Sequence, residues 1–248
     1  MSGHSKWNNI KRKKEKTDGA RAKVFTKIGR ELAVAVKEGG GPDPTSNSRL
    51  RDCIAKAKAA NVPNDNIERI VKKAAGDGDD TKYETITYEG YGPNGVAVIV
   101  ESLTDNRNRT AGDVRHYFDK FGGNLGTTGC VSFLFAQKGV IVIEREGRDE
   151  DKVMEDSLEA GASDFQADED VFEIYTEPDD FSGVLADLEK KGYEFVSAEV
   201  EMVPNTMTVI PDEDARVKMQ RLLDALEDND DVQNVWNNWD NPDSDEED

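Results

Sequence analysis

One segment, residues 88–135, constrains the fold more than any other part of the chain, because it combines a turn, a short apolar run and a helical pattern. Gly92–Gly95 has the residue types of a tight turn. The run that follows, Val96–Val100, is β-branched and too short for a buried helix, which predicts a core strand. Apolar residues then recur every three or four positions up to Gly122, which predicts a helix that ends at a glycine turn. A second strand, Val131–Phe135, completes a strand-helix-strand unit.

Two arginines, Arg107 and Arg109, are predicted on the loop between that first strand and the helix. This loop, Asp105–Arg109, follows the carboxyl end of a strand and precedes a helix N-terminus, where backbone N–H groups and guanidinium groups bind anions. The alternative is that Asp105 and Asn106 cap the turn and the two arginines are solvated. The loop residues by themselves leave both interpretations open.

The charge is distributed unevenly along the chain. Residues 1–76 contain 18 Lys and Arg against 8 Asp and Glu, a formal charge of +10, and since the whole chain carries −20, the remainder carries −30. A polyanion responds to the local field and not to the total charge, so this asymmetry predicts a basic, nucleic-acid-facing module attached to an acidic body. The acidic excess is also consistent with solubility in a salty cytoplasm and with an acidic protein-interaction scaffold.

The predicted nucleic-acid-binding residues lie in an N-terminal arm, in the first helix and on the arginine loop. The arm, Lys6–Lys16, carries six basic residues in eleven positions, and a basic helix follows it. Such an arm contacts nucleic acid or is a solvated tail, and its tryptophan packs on the domain or stacks on a base. The predicted site residues are Lys6, Trp7, Lys11, Arg12, Lys13, Lys14, Lys16, Arg21, Lys23, Lys27, Arg30, Arg107 and Arg109.

The predicted elements divide the chain into one helical and two mixed domains. Residues 1–78 are predicted as a basic domain of three helices, and residues 79–137 with 205–239 as a central domain. Residues 138–204 form a second mixed domain inserted into the central one, and residues 240–248 an acidic disordered tail. The predicted fold class is therefore α+β, with an N-terminal three-helix domain followed by two ferredoxin-like βαββαβ domains, one inserted in the other.

The central βαββαβ pattern is assembled from segments on both sides of the insertion. An additional strand, Tyr83–Tyr88, precedes it. The inserted pattern has strands that begin at Val140, Asp164, Val171 and Tyr193. The four strands predicted for the central pattern are Val96–Val100, Val131–Phe135, Met207–Ile210 and Val232–Val235.

No catalytic residue, metal site or cofactor is predicted. The only imidazoles, His4 and His116, lie in no metal-binding motif, and no nucleophile elbow is present. Cys53 and Cys130 lack the spacing of a disulfide framework or a zinc site. The glycine-rich stretch Gly122–Gly129 lacks the Lys-Ser/Thr ending of a phosphate-binding loop, so we interpret it as a tight turn, with contact to an RNA backbone as the alternative. A non-enzymatic protein is expected.

The sequence also bears on localisation. No apolar run approaches the ~20 residues that a membrane span needs. The first six residues begin a basic, polar segment, unlike a signal peptide. A cytoplasmic protein with no membrane partner, present as a monomer, is expected.

Several long motifs resemble those of the YebC/PmpR family, whose relatives include a mitochondrial translational activator of cytochrome oxidase subunit one. The similarity extends to about residue 139 and implies a helical first domain and a third domain inserted in the second. It also implies one of two functions, a transcriptional regulator that binds promoter DNA or a translation factor that acts on the ribosome and eases difficult peptide bonds, proline runs in particular. The motifs are GHSKW at Gly3–Trp7, RLR at Arg49–Arg51, NVPNDNIERIVKK at Asn61–Lys73 and the segment 88–135.

Two observations favour the ribosomal function over the transcriptional one. The chain shows no helix-turn-helix signature and no dimer half-site geometry, which DNA readers of that class need. Its basic residues are mostly lysines, which act as point charges and not as base-reading forks. Ribosomal RNA is therefore the predicted partner, and DNA is the alternative.

Overall fold

The structure is a computed structural model that describes residues 18–76 and 81–240. It confirms the α+β class, with a helical region at the N-terminal side followed by antiparallel sheets. The described residues form two compact units. Residues 18–76 and 81–130 with 211–235 make up the helix–sheet unit, and residues 131–210 with 236–240 make up the insert unit.

Three helices open the helix–sheet unit, as the sequence predicts. Their apolar faces meet in one core, which includes Ile28, Leu32 and Val36 of the first helix. Burial of these faces stabilises helices of this length, since short isolated helices are marginal in water. The three are α1 (Asp18–Glu38), α2 (Ser48–Ala59) and α3 (Asn64–Ala75).

Asn47 holds the connection between α1 and α2. Its side-chain oxygen accepts a hydrogen bond from the Leu50 N–H at 3.0 Å and so caps α2. Its amide nitrogen donates to the carbonyl oxygens of Ala35 and Gly41, each at 2.8 Å. The side chain is buried and lies so close to Gly39 that a Cβ atom there would be 2.4 Å from the Asn47 Oδ1. One buried amide therefore joins the end of α1 to the start of α2.

Replacing Asn47 with alanine is expected to lower the free energy of unfolding by about 2–3 kcal/mol. The cap alone contributes about 1 kcal/mol, and the change also removes the donors to two carbonyl oxygens. Chemical denaturation measures the loss. Ser46→Ala is the control, because the exposed Ser46 hydroxyl makes only a 3.2 Å bond to the Asp43 carbonyl. Equal stability of the two variants would contradict this role of Asn47.

The rest of the helix–sheet unit is built around one sheet. Its elements are β1 (Glu84–Tyr91), β2 (Ala97–Thr104), α4 (Arg107–Lys120), β3 (Asn124–Leu125), α7 (Glu213–Asp228) and β9 (Val232–Asn237). The strand order is β3-β1-β2-β9. Strands β1 and β2 pair antiparallel over eight positions, from Glu84 opposite Thr104 to Tyr91 opposite Ala97. The predicted turn joins them as a short 3-10 helix in which Asn94 has a φ of 59°.

The strand assignment within this sheet corrects the prediction. Val131–Phe135 is not a strand of it, because Ser132–Leu134 is a 3-10 helix and Phe135 begins a strand of the other sheet. Read from β9, the strand order β9-β2-β1-β3 is that of a ferredoxin-like sheet in which β1 occupies the third of the four positions. Closing the short β1–β2 hairpin costs less chain entropy than recruiting a strand from beyond a long insertion. The additional strand is therefore an inner strand of the sheet.

The insert unit follows the predicted βαββαβ order. Its elements are β4 (Phe135–Glu144), α5 (Glu150–Ala160), β5 (Asp164–Ala167), β6 (Val171–Thr176), α6 (Phe181–Lys190) and β7 (Ser197–Pro204). The sheet has the order β5-β6-β4-β7 with antiparallel pairing throughout. Both helices pack on the face that carries Ile141, Ile143, Phe172 and Ile174.

The strand predicted at 207–210 is shorter than expected and belongs to the insert unit. β8 (Thr208–Val209) pairs in parallel with β10 (Trp239–Asp240). The buried Asn238 supports this pair, since its amide donates to the Thr206 carbonyl and to the Thr208 hydroxyl, each at 3.1 Å. The segment therefore does not extend the first sheet.

Candidate nucleic-acid interface

The predicted basic arm lies outside the described residues. This applies to Lys6, Trp7, Lys11, Arg12, Lys13, Lys14 and Lys16, and also to the side chain of Arg21 on α1. Their assignment to nucleic-acid binding stays a prediction. The remaining predicted residues, on α1 and α4, are placed by the structure.

Two lysines of α1, Lys23 and Lys27, contact the C-terminal end of α7. The Lys23 Nζ lies 3.0 Å from the Asp228 carboxylate, and the Lys27 Nζ donates to the Glu227 carbonyl at 2.6 Å. Cations are stabilised at a helix C-terminus, where the last carbonyl oxygens carry a partial negative charge. These two lysines therefore hold α1 against α7 within the helix–sheet unit.

Arg30 is bound still more closely to the sheet. Its Nη1 donates to the Asp231 carboxylate at 2.6 Å, to the Asp230 carbonyl at 2.8 Å and to the Leu103 carbonyl at 3.3 Å. The guanidinium also lies 5.8 Å from the ring centroid of Tyr83. Since its side chain is only 19% exposed, Arg30 is a packing element that joins α1 to the strand ends.

The two arginines predicted on a loop lie in the first turn of α4. Helix α4 begins at Arg107, because the Asn106 side chain caps it by accepting from the Arg109 N–H at 3.1 Å. Arg107 pairs with Glu84 at 2.7 Å on an exposed surface. Arg109 binds Asp231 at 2.8 Å and Asp105 at 2.9 Å. The predicted loop is thus two residues long, 105–106, and Arg109 is engaged by two carboxylates.

Asp231 is the centre of this arrangement, and the sequence gives little sign of its role. Its buried carboxylate accepts hydrogen bonds from Arg30, Arg109 and the Thr110 hydroxyl. Burial raises its pKa, but the hydrogen bonds from Arg109, Arg30 and Thr110 lower it more, so the pKa of Asp231 lies below its ordinary value. In the sequence the residue stands in the acidic turn Asp228–Asp231, which looks like a solvated connection.

A second set of basic residues, which no sequence motif marks as a binding site, is exposed on α2 and α3. Lys58 stands in the last turn of α2, and Lys72 and Lys73 in the last turn of α3. Within residues 18–76 and 81–240, no ion pair joins these three lysines or Arg51 to an acidic residue. The exposed members are Arg51, Lys58, Arg69, Lys72 and Lys73. We call this set the α2–α3 cations.

A polar cleft of about 210 Å³ lies between the helices and the sheet of the same unit. Its walls carry an ion pair and a hydrogen-bonded carboxylate, since Lys56 binds Glu31 at 3.1 Å and the Asn234 amide donates to Glu101 at 2.8 Å. Cys53 also lines the cleft, and burial raises the pKa of its thiol to about 11. A protonated thiol is a poor nucleophile. The Cys53 thiol is therefore not an activated nucleophile.

The glycine-rich stretch after α4 is not one tight turn, because it contains strand β3 between glycine turns, and it faces a carboxylate. Gly122 and Gly129 have φ values of 81° and 88°, which favour glycine. The Gly129 N–H donates to the Glu89 Oε1 at 2.8 Å, and the Gly126 N–H donates to the Glu89 carbonyl at 2.8 Å. Glu89 is buried. Glu89 therefore takes up two N–H groups that a phosphate would need, one with its carboxylate and one with its backbone carbonyl, which disfavours the alternative of RNA-backbone contact.

Within residues 18–76 and 81–240, no group of three or more His, Cys, Asp or Glu side chains has a metal-binding arrangement. None of the helices described there combines the length and apolarity needed to cross a bilayer.

The fold and the α2–α3 cations define a class of protein. It is an α+β chain whose N-terminal helices carry exposed cations and whose sheets belong to the acidic remainder of the chain. Comparison with known proteins identifies the family. Residues 5–77 match the TACO1/YebC protein N-terminal domain, and residues 83–239 match the TACO1/YebC second and third domain. The chain belongs to the TACO1/YebC family.

Its relatives are similar over nearly their whole length. A probable transcriptional regulatory protein from Acetivibrio thermocellus is 64% identical over 234 residues, covering 94% of this chain and 96% of the relative. One from Caldicellulosiruptor saccharolyticus is 62% identical over 233 residues, with the same coverage. The crystal structure of a conserved hypothetical protein, Aq1575, from Aquifex aeolicus has a TM-score of 0.83 and 46% identity, covering 92% of this chain and 93% of that one.

Proposed function

We propose that this protein is a non-enzymatic, nucleic-acid-binding regulator of gene expression that acts on the ribosome as a translation factor. Its partner is ribosomal RNA, and its effect is to ease the synthesis of difficult sequences such as proline runs, as the family resemblance implies. The observation that carries the proposal is the set of α2–α3 cations, exposed on a region whose formal charge is +10 in a chain that is otherwise −30. Exposed, uncompensated cations bind a phosphate backbone because they release its counterions.

The chemistry of these cations favours backbone contact over base reading. Three of the five are lysines, whose ammonium groups act as point charges. The first half of α3 carries the exposed acids Asp65 and Glu68, and carboxylates at the start of a helix in the major groove would face phosphates on both sides. A folded RNA presents a phosphate surface to the ends of α2 and α3 without that repulsion.

A second candidate is a DNA-binding transcriptional regulator, the function in the names of the curated relatives. One observation favours it. Helices α2 and α3 are joined by only four residues, 60–63, with Asn61 in the left-handed conformation at a φ of 58°. Two helices joined by so short a turn are the minimum of a helix-turn-helix element. Its recognition helix would be α3, but the acidic residues at the start of α3 disfavour its binding in the major groove.

A competition experiment separates the two. The purified full chain is sedimented with ribosomes in the presence of random duplex DNA and of a library of promoter duplexes at matched salt. We expect sedimentation with the ribosome and no duplex that displaces it. A promoter-specific regulator would instead prefer its site over random duplex by about 10³-fold or more, and one such duplex would overturn the ribosomal proposal.

The α2–α3 cations supply the matched variants. Changing Lys58, Lys72 and Lys73 to Glu is expected to weaken ribosome binding by about tenfold or more. The control, with the same change in charge on exposed residues of α4 and α7, is Arg115→Glu, Lys218→Glu and Arg221→Glu. Equal losses of ribosome binding in both triple variants would show that only the total charge of the protein matters.

In reconstituted translation, the full chain is expected to shorten the pause at a proline run and to leave the translation of a message without such a run unchanged.

A further inference from the structure

Helix α5 of the insert unit carries apolar side chains on two opposite sides. Its inner side packs on the sheet through Val153 and Ala160, which belong to the core of the unit. Since successive residues of an α-helix are about 100° apart, Met154 and Leu158 lie on the side away from that core, and they are 38% and 52% exposed. Together with two acids at helical spacing they form one stripe along the solvent side of the helix. This outer stripe consists of Asp151, Met154, Glu155 and Leu158.

The two acids of the outer stripe differ from the other acids of α5. The other three each have a cation of the same unit at 2.7–2.9 Å: Glu150 with Arg145, Asp156 with Lys191, and Glu159 with Lys191. Within residues 18–76 and 81–240, by contrast, no ion pair or hydrogen bond reaches the carboxylates of Asp151 and Glu155, and both residues are exposed. The acids that remain uncompensated on this helix are therefore those beside Met154 and Leu158.

The charge of the insert unit limits what can cover this stripe. Residues 131–210 contain 6 Lys and Arg against 21 Asp and Glu, a formal charge of −15. Such a field repels a nucleic acid or an anionic membrane. A second copy that docked through the same stripe would bring Asp151 and Glu155 of the two copies together, and like charges in contact are unfavourable. A protein segment that offers cations and apolar side chains together is the remaining complement.

A helix is the shape that fits the outer stripe. Two helices pack by interlocking side chains that are three and four residues apart, and the stripe has this spacing over two turns. A partner helix with an apolar stripe of its own would pack against Met154 and Leu158 and place flanking lysines or arginines beside the two acids. Methionine suits such a contact, because its flexible, polarizable side chain adapts to the shape of the partner.

We infer that the outer stripe of α5 docks a basic, amphipathic helix of a partner protein. Met154 and Leu158 enter the apolar contact, and Asp151 and Glu155 pair with the cations on either side of it. Docking itself rests on the exposure and the charge of the stripe alone. The location of the partner, a basic protein of the ribosome, rests on the proposed function. The α2–α3 cations then bind RNA, and the acidic insert unit, which RNA repels, binds protein.

A synthetic helical peptide is the probe for docking. It has about 18 residues of lysine, alanine and leucine, with the leucines three and four positions apart, and its affinity for the full chain is measured by fluorescence anisotropy. Met154→Gln with Leu158→Gln is expected to lower this affinity about tenfold or more, because glutamine preserves the helix and removes the apolar contact. Val24→Gln with Val217→Gln, which changes two exposed apolar residues of α1 and α7, is the control. Equal losses in both double variants would overturn the inference.

The role of the acids is tested with the same peptide. Asp151→Asn with Glu155→Gln is expected to lower the affinity about fivefold at low salt, and the effect should vanish near 1 M salt, where the Debye length is about 3 Å. Asp179→Asn with Glu194→Gln removes the same charge from exposed turns on either side of α6 and should have no such effect. Equal losses in the two acid variants, or equally tight binding of a peptide with glutamate in place of lysine, would contradict docking of a basic helix.

Sedimentation with ribosomes tests where the partner is. Met154→Gln with Leu158→Gln should weaken ribosome binding about tenfold although the α2–α3 cations are unchanged, and the unfolding midpoint measured alongside identifies any loss caused by unfolding. Wild-type ribosome affinity in a variant that no longer binds the peptide would overturn the ribosomal partner. Peptide binding by a wild-type protein that does not sediment with ribosomes would keep the docking and refute the proposed function instead.

Discussion

Replacing Asp231 with alanine is expected to lower the free energy of unfolding by about 3 kcal/mol. The change leaves Arg30 and Arg109 without their shared carboxylate, and removing one partner of a buried ion pair typically costs about 3–5 kcal/mol. The lower end applies because the Arg109 side chain is 45% exposed and regains water. Urea denaturation measures the loss, which appears as a lower midpoint at an unchanged slope.

The neighbouring Asp230→Ala is the matched control for this variant. The Asp230 side chain is exposed, and Arg30 uses only its backbone carbonyl, so the substitution keeps that contact. An Asp231→Ala protein as stable as the Asp230→Ala protein would show that the buried carboxylate contributes no net stability.

The same carboxylate predicts an acid dependence of stability. Because its folded pKa lies below the ordinary value, it stabilises the folded state fully above the unfolded pKa of about 3.9. That contribution is lost as the pH falls through the folded pKa. Below about pH 4, the Asp231→Ala protein should therefore lose stability less steeply than the wild type. If the free energy of unfolding fell equally steeply with pH in the two proteins, a contribution of Asp231 to acid unfolding would be excluded.

Neutralising the arm cluster by Lys11→Gln, Arg12→Gln, Lys13→Gln and Lys14→Gln is expected to weaken ribosome binding by about 100-fold at low salt. Four cations that contact phosphates each release a counterion, so the loss should shrink as salt rises and the slope of log affinity against log salt should fall by about 3–4. Sedimentation with ribosomes across a salt series measures both quantities.

The unfolding midpoint of the arm variant is measured alongside, so that a loss of ribosome binding caused by unfolding is recognised. Arg115→Gln, Lys120→Gln, Lys218→Gln and Arg221→Gln, which remove four exposed positive charges from α4 and α7, are the control for total charge. Unchanged ribosome affinity in the arm variant would transfer the proposed binding role to the α2–α3 cations.

Local patterns were enough to predict most of the elements of this protein. Three N-terminal helices were predicted within residues 1–78, and the insert unit was predicted from its segments in βαββαβ order. The turn at Gly92–Gly95 and the strand after it were also recognisable from residue type. These are short-range signals, since each element carries its own periodicity and its own ends.

Pairing between distant segments was not predictable from the same signals. The strand β1 was recognised as a strand, but its place between β2 and β3 depends on which partner it reaches first. Val131–Phe135 looked equally suited to the first sheet. The lower entropic cost of closing a short loop favoured the strand nearer in sequence. The periodicity of a segment carries no information on its pairing partner.

The candidate site shows the same division. The sequence by itself determined that the chain has a basic N-terminal region and an acidic remainder, that it folds as α+β, and that it carries no recognisable catalytic motif. Only the tertiary structure decided which cations are engaged. It joins Lys23, Lys27, Arg30 and Arg109 to acidic side chains and carbonyls of the helix–sheet unit and leaves the α2–α3 cations exposed. The reason is physical: a charge is known from the sequence, but its compensation depends on which opposite charge the fold brings within about 4 Å.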